Sequence, residues 1–196
     1  MAWRRAKKAA KRLGRKREGI ASVEFCLVLP LLVLMLFGTI EFGRMLVDYQ
    51  VANKSVRDSI RYLSRVRDDA ITDQCGAGKL GGKKDGRLWP SDPAPTVITN
   101  AVNLAMTGSI AGPAGPGDYL GDYLLGYWDE PETITVWVDC TDNGANQFSG
   151  AFQGTAYIPR LTMEAQVSFP SGMGWLVPVF DDFTITVTHN EVHIGD

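Results

Sequence analysis

The sequence predicts an α+β protein in which one long N-terminal helix leads into a small antiparallel sheet. Three observations carry this. An apolar run fills residues 20–40, apolar residues then recur at helical intervals to about residue 68, and from residue 133 onward the pattern changes to the alternation of strands. The expected organisation is a basic leader at 1–19, a membrane-spanning and then amphipathic stem at 20–68, and a head domain at 69–196.

The leader carries nine Lys or Arg against the single acid Glu18, a net +8, whereas residues 20–196 hold eleven basic and twenty-one acidic residues, a net −10. The total of −2 conceals that split. Apart from Trp3 and Leu13 the leader has no core-forming pattern, and it is expected to be disordered or to lie at an interface. Read as a helix, the 21 residues 20–40 rise roughly 31 Å, which matches the ~30 Å hydrocarbon core of a bilayer. Positive charge beside a spanning helix marks the cytoplasmic side, so the N-terminus is expected inside and the C-terminal body exported. Because the basic tract abuts a spanning helix, its expected partner is the lipid bilayer and not nucleic acid.

A cleavable secretory signal has an apolar region of about 7–15 residues closed by a small-x-small site. Here the run is longer and is followed by Gly38-Thr39-Ile40-Glu41-Phe42-Gly43, with no such site. The small residue at a boundary is Gly19, and Glu24 is the fifth residue beyond it. An ionised acid in hydrocarbon costs about 2.5 kcal/mol or more, so Glu24 is expected either to meet a partner or to snorkel to the headgroups. Cys26 reads as a small apolar residue of the span. Pro30 removes the hydrogen bond its N–H would have given to the Cys26 carbonyl, and a bend is expected there.

A basic leader, a Gly, and an apolar helix with Glu24 at its fifth position and Phe25 next open this pattern. Pro30 and then Phe37-Gly38-x-x-Glu41-Phe42-Gly43-Arg44 complete it. Together these features resemble the TadE family of pilin-like proteins from tight-adherence (Tad) pilus systems. The resemblance covers residues 19–61. It implies a minor pilin or pseudopilin in the inner membrane, taking part in a pilus used for surface adhesion and biofilm formation. It also implies an aspartic prepilin peptidase cutting between Gly19 and Ile20 on the cytoplasmic face. Other pilin-like subunits and the Tad secretion machinery are the remaining implied partners. After such a cut the new α-amino group of Ile20 would lie one helical turn from Glu24, which would pair with it or with the N-terminus of a neighbouring subunit.

Beyond the span, Phe42, Met45, Leu46, Tyr49, Ala52, Val56, Ile60 and Leu63 mark the apolar side of an amphipathic helix. Arg44 with Asp48, and Lys54 with Asp58, are spaced to pair across a turn. Residues 69–95 read as a loop, broken by Gly76, Gly78, Gly81, Gly82 and Gly86 and by Pro90, Pro93 and Pro95. A phosphate-binding loop ending in Gly82-Lys83 would need Gly at 77 and Ser or Thr at 84, where the chain has Ala77 and Lys84, so the motif fails. Residues 96–107 form a short helix between Pro95 and Gly108, and 108–117 form a Gly- and Pro-rich joint. Tyr119, Tyr123, Tyr127 and Trp128 either dock on the core or present a contact surface, docking being favoured. Strands are expected at 133–140, 157–169 and 183–192, joined in sequence into an antiparallel sheet.

Cys75 and Cys140 both fall in the exported part, where a periplasm oxidises such pairs, and are expected to form a disulfide. His189, Glu191 and His193 alternate and would share one side of a strand, but spacing indicates no fourth ligand, so no metal is expected. The apolar residues between Pro170 and Asp182, Trp175 among them, either fold beneath the sheet or form an exposed patch, burial being favoured. No catalytic constellation is present; Asp181-Asp182 read as turn residues, and neither a cofactor nor a small-molecule substrate is indicated. The expected function is therefore a pilin-like structural subunit. The alternative is a single-pass binding module, an adhesive tip or receptor, with Tyr127, Trp128 and Trp175 as contacts.

Overall fold

The computed structural model describes residues 2–66, 71, 75, 86–90, 94–113, 123–144, 150–171 and 182–194. Its elements are helix α1 (Ala2–Arg65), strand β1 (Gly86–Trp89), helix α2 (Thr96–Thr107), and strands β2 (Ile134–Asp142), β3 (Tyr157–Pro170) and β4 (Asp182–Val192). Two compact units divide the chain, Met1–Arg44 and Met45–Asp196.

In the first unit the backbone is helical from Ala2. Ala, Lys, Arg and Leu are strong helix formers and dominate residues 2–17, so the local propensity is high. The helix continues through Pro30. From Val23 to Phe42 the large apolar side chains are exposed, which is the pattern of a helix whose solvent is lipid. An 18-residue window long and apolar enough to cross a membrane has none of its surface buried. This is the character of a membrane anchor, and α1 is the one such helix among the described residues.

The second unit contains the last turns of α1 and an open four-stranded antiparallel sheet in the order β1-β2-β3-β4. Ile134 pairs with Ala165, Val136 with Met163 and Val138 with Leu161, while Ala165 and Val167 pair with Val187 and Ile185 of β4. These residues alternate with polar ones along each strand, so one face of the sheet is apolar and buried. Ala52, Val56, Ile60 and Leu63 of α1, and Val97, Ile98, Ala101, Val102 and Ala105 of α2, belong to the same core. Gly108, at φ 75°, ends α2 in the left-handed conformation that glycine adopts without cost, its N–H donating to the Leu104 carbonyl.

Two expectations are corrected. The segment 69–95 is not wholly loop, because Gly86–Trp89 pairs with β2. Four residues beside Pro90 are too few to show an alternation, and Leu88 is the one deeply buried contribution. The apolar side of the stem read from periodicity holds at Ala52, Val56, Ile60 and Leu63, which are buried, but departs at its membrane end and in its buried serines. Phe42 and Leu46 stay exposed, at 60% and 45%, whereas Ser55, Ser59 and Ser64 are buried. Each serine donates its hydroxyl to a carbonyl of its own helix, Ala52, Ser55 and Arg61 respectively, at 2.9 Å. Their burial therefore strands no polar group. The Gly-rich stretch 76–85, Tyr119 and residues 172–181 with Trp175 lie outside the described residues.

Leu63 is fully buried and Leu46 is not, so truncating them should have unequal effects. Leu63→Ala is expected to destabilise the detergent-solubilised chain by about 2–5 kcal/mol in chemical denaturation, and Leu46→Ala by no more than about 0.5 kcal/mol.

Candidate functional site

The residues singled out from sequence fall into two sets. Gly19, Ile20, Glu24, Phe25, Pro30, Phe37, Gly38, Glu41, Phe42, Gly43 and Arg44 all lie in α1 within the first unit. The helical backbone runs without interruption across the Gly19–Ile20 bond. Three polar residues punctuate the span. Thr39 bonds back to the carbonyls of Met35 and Leu36, each at 2.8 Å, and Ser22 is likewise engaged. Glu24 is exposed, and among the described residues its carboxylate has no ion-pair partner. Of the three, the acid is the one left without an ion-pair partner among the described residues.

Phe25 and Phe37 are exposed, and a Cβ added at Gly38 or Gly43 would meet nothing within 4 Å. No packing within the described residues demands glycine at either position. Glu41 carries the ion pair of this segment, to Arg44 at 4.0 Å. The pairing of Arg44 with Asp48 expected from spacing is thus replaced, and for a tertiary reason. The Asp48 carboxylate accepts a hydrogen bond from the Tyr127 hydroxyl at 2.8 Å, so a residue 79 positions away holds it. Lys54 and Asp58 also form no ion pair among the described residues. At i,i+4 on an exposed surface such a pair contributes only a few tenths of a kcal/mol, too little to hold two solvated side chains together.

The second set ties the last turns of α1 to the sheet unit. His189 Nε2 bonds to Asn53 Oδ1, and His193 Nδ1 bonds to the Leu63 carbonyl at 3.1 Å. Next to it the Ile194 N–H donates to the Ser64 carbonyl at 2.8 Å, capping an orphan acceptor at the end of α1. The two histidines therefore bind the helix. They do not converge with Glu191, and among the described residues no group of three His, Cys, Asp or Glu is placed to hold a metal.

The aromatics dock. Trp128 is 2% exposed and its Nε1–H donates to Thr133 Oγ1 at 2.8 Å. Tyr127, besides binding Asp48, meets Phe169 edge to face with ring centroids 6.2 Å apart. Cys75 and Cys140 are joined by a disulfide, and Cys26 is a free thiol in the span. Sequence reasoning missed Asn143, which is 1% exposed and donates its Nδ2 hydrogens to the Phe152 and Thr155 carbonyls, closing the β2–β3 connection. The Asn143-Gly144 dipeptide was the available turn signal.

Comparison with known proteins places one segment. The family model for TadE-like protein matches residues 19–61, which lie wholly within α1. No curated protein and no solved structure matches the chain.

The disulfide closes a separation of 65 positions, worth roughly 4 kcal/mol of loop entropy, so Cys75→Ser with Cys140→Ser should lower stability by about that amount. Thiol alkylation followed by mass measurement checks the pairing directly. The unfolded chain is expected to take one label, at Cys26, before reduction and three after it.

Proposed function

We propose that this chain is a pilin-like structural subunit, a minor pilin or pseudopilin of a tight-adherence pilus, anchored in the inner membrane through α1. On this reading its N-terminus is cytoplasmic and its C-terminal unit is exported. The observation that carries the reading is a coincidence of two boundaries. The segment matched by the TadE-like model begins at Gly19, where nine basic residues give way to the exposed apolar surface of α1, and Glu24 follows as the fifth residue.

A prepilin peptidase cutting after Gly19 would free the α-amino group of Ile20. Glu24, exposed and without an ion-pair partner among the described residues, is then the natural counter-charge for that amine or for the one on a neighbouring subunit. The same pairing would offset the cost of a carboxylate in hydrocarbon and favour stacking of stems. Open space at Gly38 and Gly43 supports close approach of another helix there. The disulfide supports export, since such bonds persist in oxidising compartments. The net +8 of the leader supports its retention on the cytoplasmic side.

Sequencing the N-terminus of the membrane-fraction protein is expected to return Ile20 as the first residue, and Gly19→Leu to leave the leader attached. Recovery of the whole chain in the soluble cytosolic fraction, with its leader intact, would overturn the proposal.

A further inference from the structure

The large apolar side chains left exposed in the C-terminal unit gather at one end. Among its described residues they are Leu46, Val47, Ile110, Leu124, Phe183 and Ile194. Ile194 marks the far end, where its N–H donates to the Ser64 carbonyl near the close of α1. The other five are linked through one set of contacts at the opposite end. Phe183 pairs across the sheet with Phe169, the Phe169 ring meets Tyr127, and the Tyr127 hydroxyl binds Asp48, the residue after Val47. Leu124 stands three residues before Tyr127, and its N–H donates to the Met106 carbonyl. A Cβ added at Gly108, two residues before Ile110, would meet the Leu124 side chain at 3.4 Å.

These five lie toward the point where the chain enters the unit at Met45. β4 and α1 run in the same sense, since His189 binds Asn53 and, further along both elements, His193 binds the Leu63 carbonyl. Phe183 precedes His189 on β4 by a strand length of roughly 20 Å. Asn53 in turn follows Ile40, where the apolar run ends, by roughly 20 Å of helix. Charge follows the same division. Between Met45 and Asn53 the one charged residue of α1 is Asp48, already bonded to Tyr127. Exposed cations begin only at Lys54 and continue with Arg57, Arg61 and Arg65. Three exposed acids, Asp129, Glu130 and Glu132, follow Trp128 on the flank of the apolar end.

We propose that this end of the unit rests in the headgroup layer of the bilayer that α1 crosses, with Leu46, Val47, Ile110, Leu124 and Phe183 as its lipid contacts. The occupant is lipid because the exposed apolar surface of α1, from Val23 to Phe42, continues into Leu46 and Val47. The charges that interrupt it, Glu41 and Arg44, pair with each other. Val47 follows Ile40 by roughly 10 Å of helix, and interfacial apolar residues are immersed to a depth of ~5–10 Å. The three flanking acids are repelled by anionic headgroups, so the lipid in contact is zwitterionic. A unit held both by its stem and by its apolar end stands at a fixed height above the bilayer. This inference rests on α1 as a membrane anchor and goes beyond the pilin-like reading.

The test uses full-length chain carrying Cys26→Ser with one of Leu124→Cys, Phe183→Cys or Ile194→Cys. Each is labelled with bimane and reconstituted in phosphatidylcholine vesicles, so dilute that copies do not meet, with a headgroup nitroxide lipid as quencher. The labels at 124 and 183 are expected to be quenched at least about threefold more strongly than the equally exposed label at 194, because the layer is only ~5–10 Å deep. Replacing part of the lipid with phosphatidylglycerol should weaken quenching at 124 and 183. Asp129→Asn with Glu130→Gln and Glu132→Gln should remove that loss. Quenching at 124 and 183 no stronger than at 194, or strengthened by phosphatidylglycerol, would overturn the proposal. Labels at 124 and 183 shielded from lipid and from aqueous iodide alike would put protein over the patch and overturn it too. Failure here leaves the pilin-like reading intact, since that reading turns on processing at Gly19.

Discussion

The C-terminal unit depends on one burial. The sheet has a continuous apolar face, and the dry side of α1 from Ala52 to Leu63 shares its core. An open sheet of four strands with a bare apolar face would expose far more hydrocarbon than a soluble unit tolerates, so the helix is as much a part of the fold as the strands. The ties at the edge of this contact follow from it. His189 reaches Asn53, His193 reaches Leu63, and Ile194 reaches Ser64 because the core has already brought the end of β4 against the helix.

The same helix answers to a different solvent before Arg44. There the chain is helical, its large side chains are exposed, and Thr39 returns its hydroxyl to carbonyls of its own helix. Glu24 stands out against that economy. A carboxylate without an ion-pair partner among the described residues, in an otherwise apolar stretch, places a demand that another chain or a new N-terminus is suited to meet. This is why the functional reading rests on the stem and not on any pocket of the sheet unit.

Much of the candidate site was legible in the sequence. Gly19, Glu24, Pro30 and the Phe37 to Arg44 motif are local features of spacing and composition, and the TadE-like match covers the same residues. The Cys75 and Cys140 pair was legible from compartment logic, without any geometry. Asp48 was not. Spacing offered it Arg44, whereas the fold gave it Tyr127, because a helix periodicity is blind to a side chain arriving from 79 residues away. Tyr127 and Trp128 could be read either as contacts or as core; the burial of Trp128, and the bonding of the partly buried Tyr127 to Asp48 and its edge-to-face contact with Phe169, decide for core.

By itself the sequence determined the element types, since helical and alternating periods are properties of neighbouring residues. It also determined the charge split and the length of the apolar run. The tertiary structure alone decided which helix positions are dry. Ser55 and Ser59 are buried and Leu46 is exposed, an order opposite to their hydropathy. The physical reason is that burial depends on which face of the helix meets the sheet. A small serine that bonds to its own backbone fits that close contact, while a leucine on the far face has nothing to fit against. Strand β1 belongs to the same class of fact, because four residues next to a proline become a strand only when β2 supplies the other half of their hydrogen bonds.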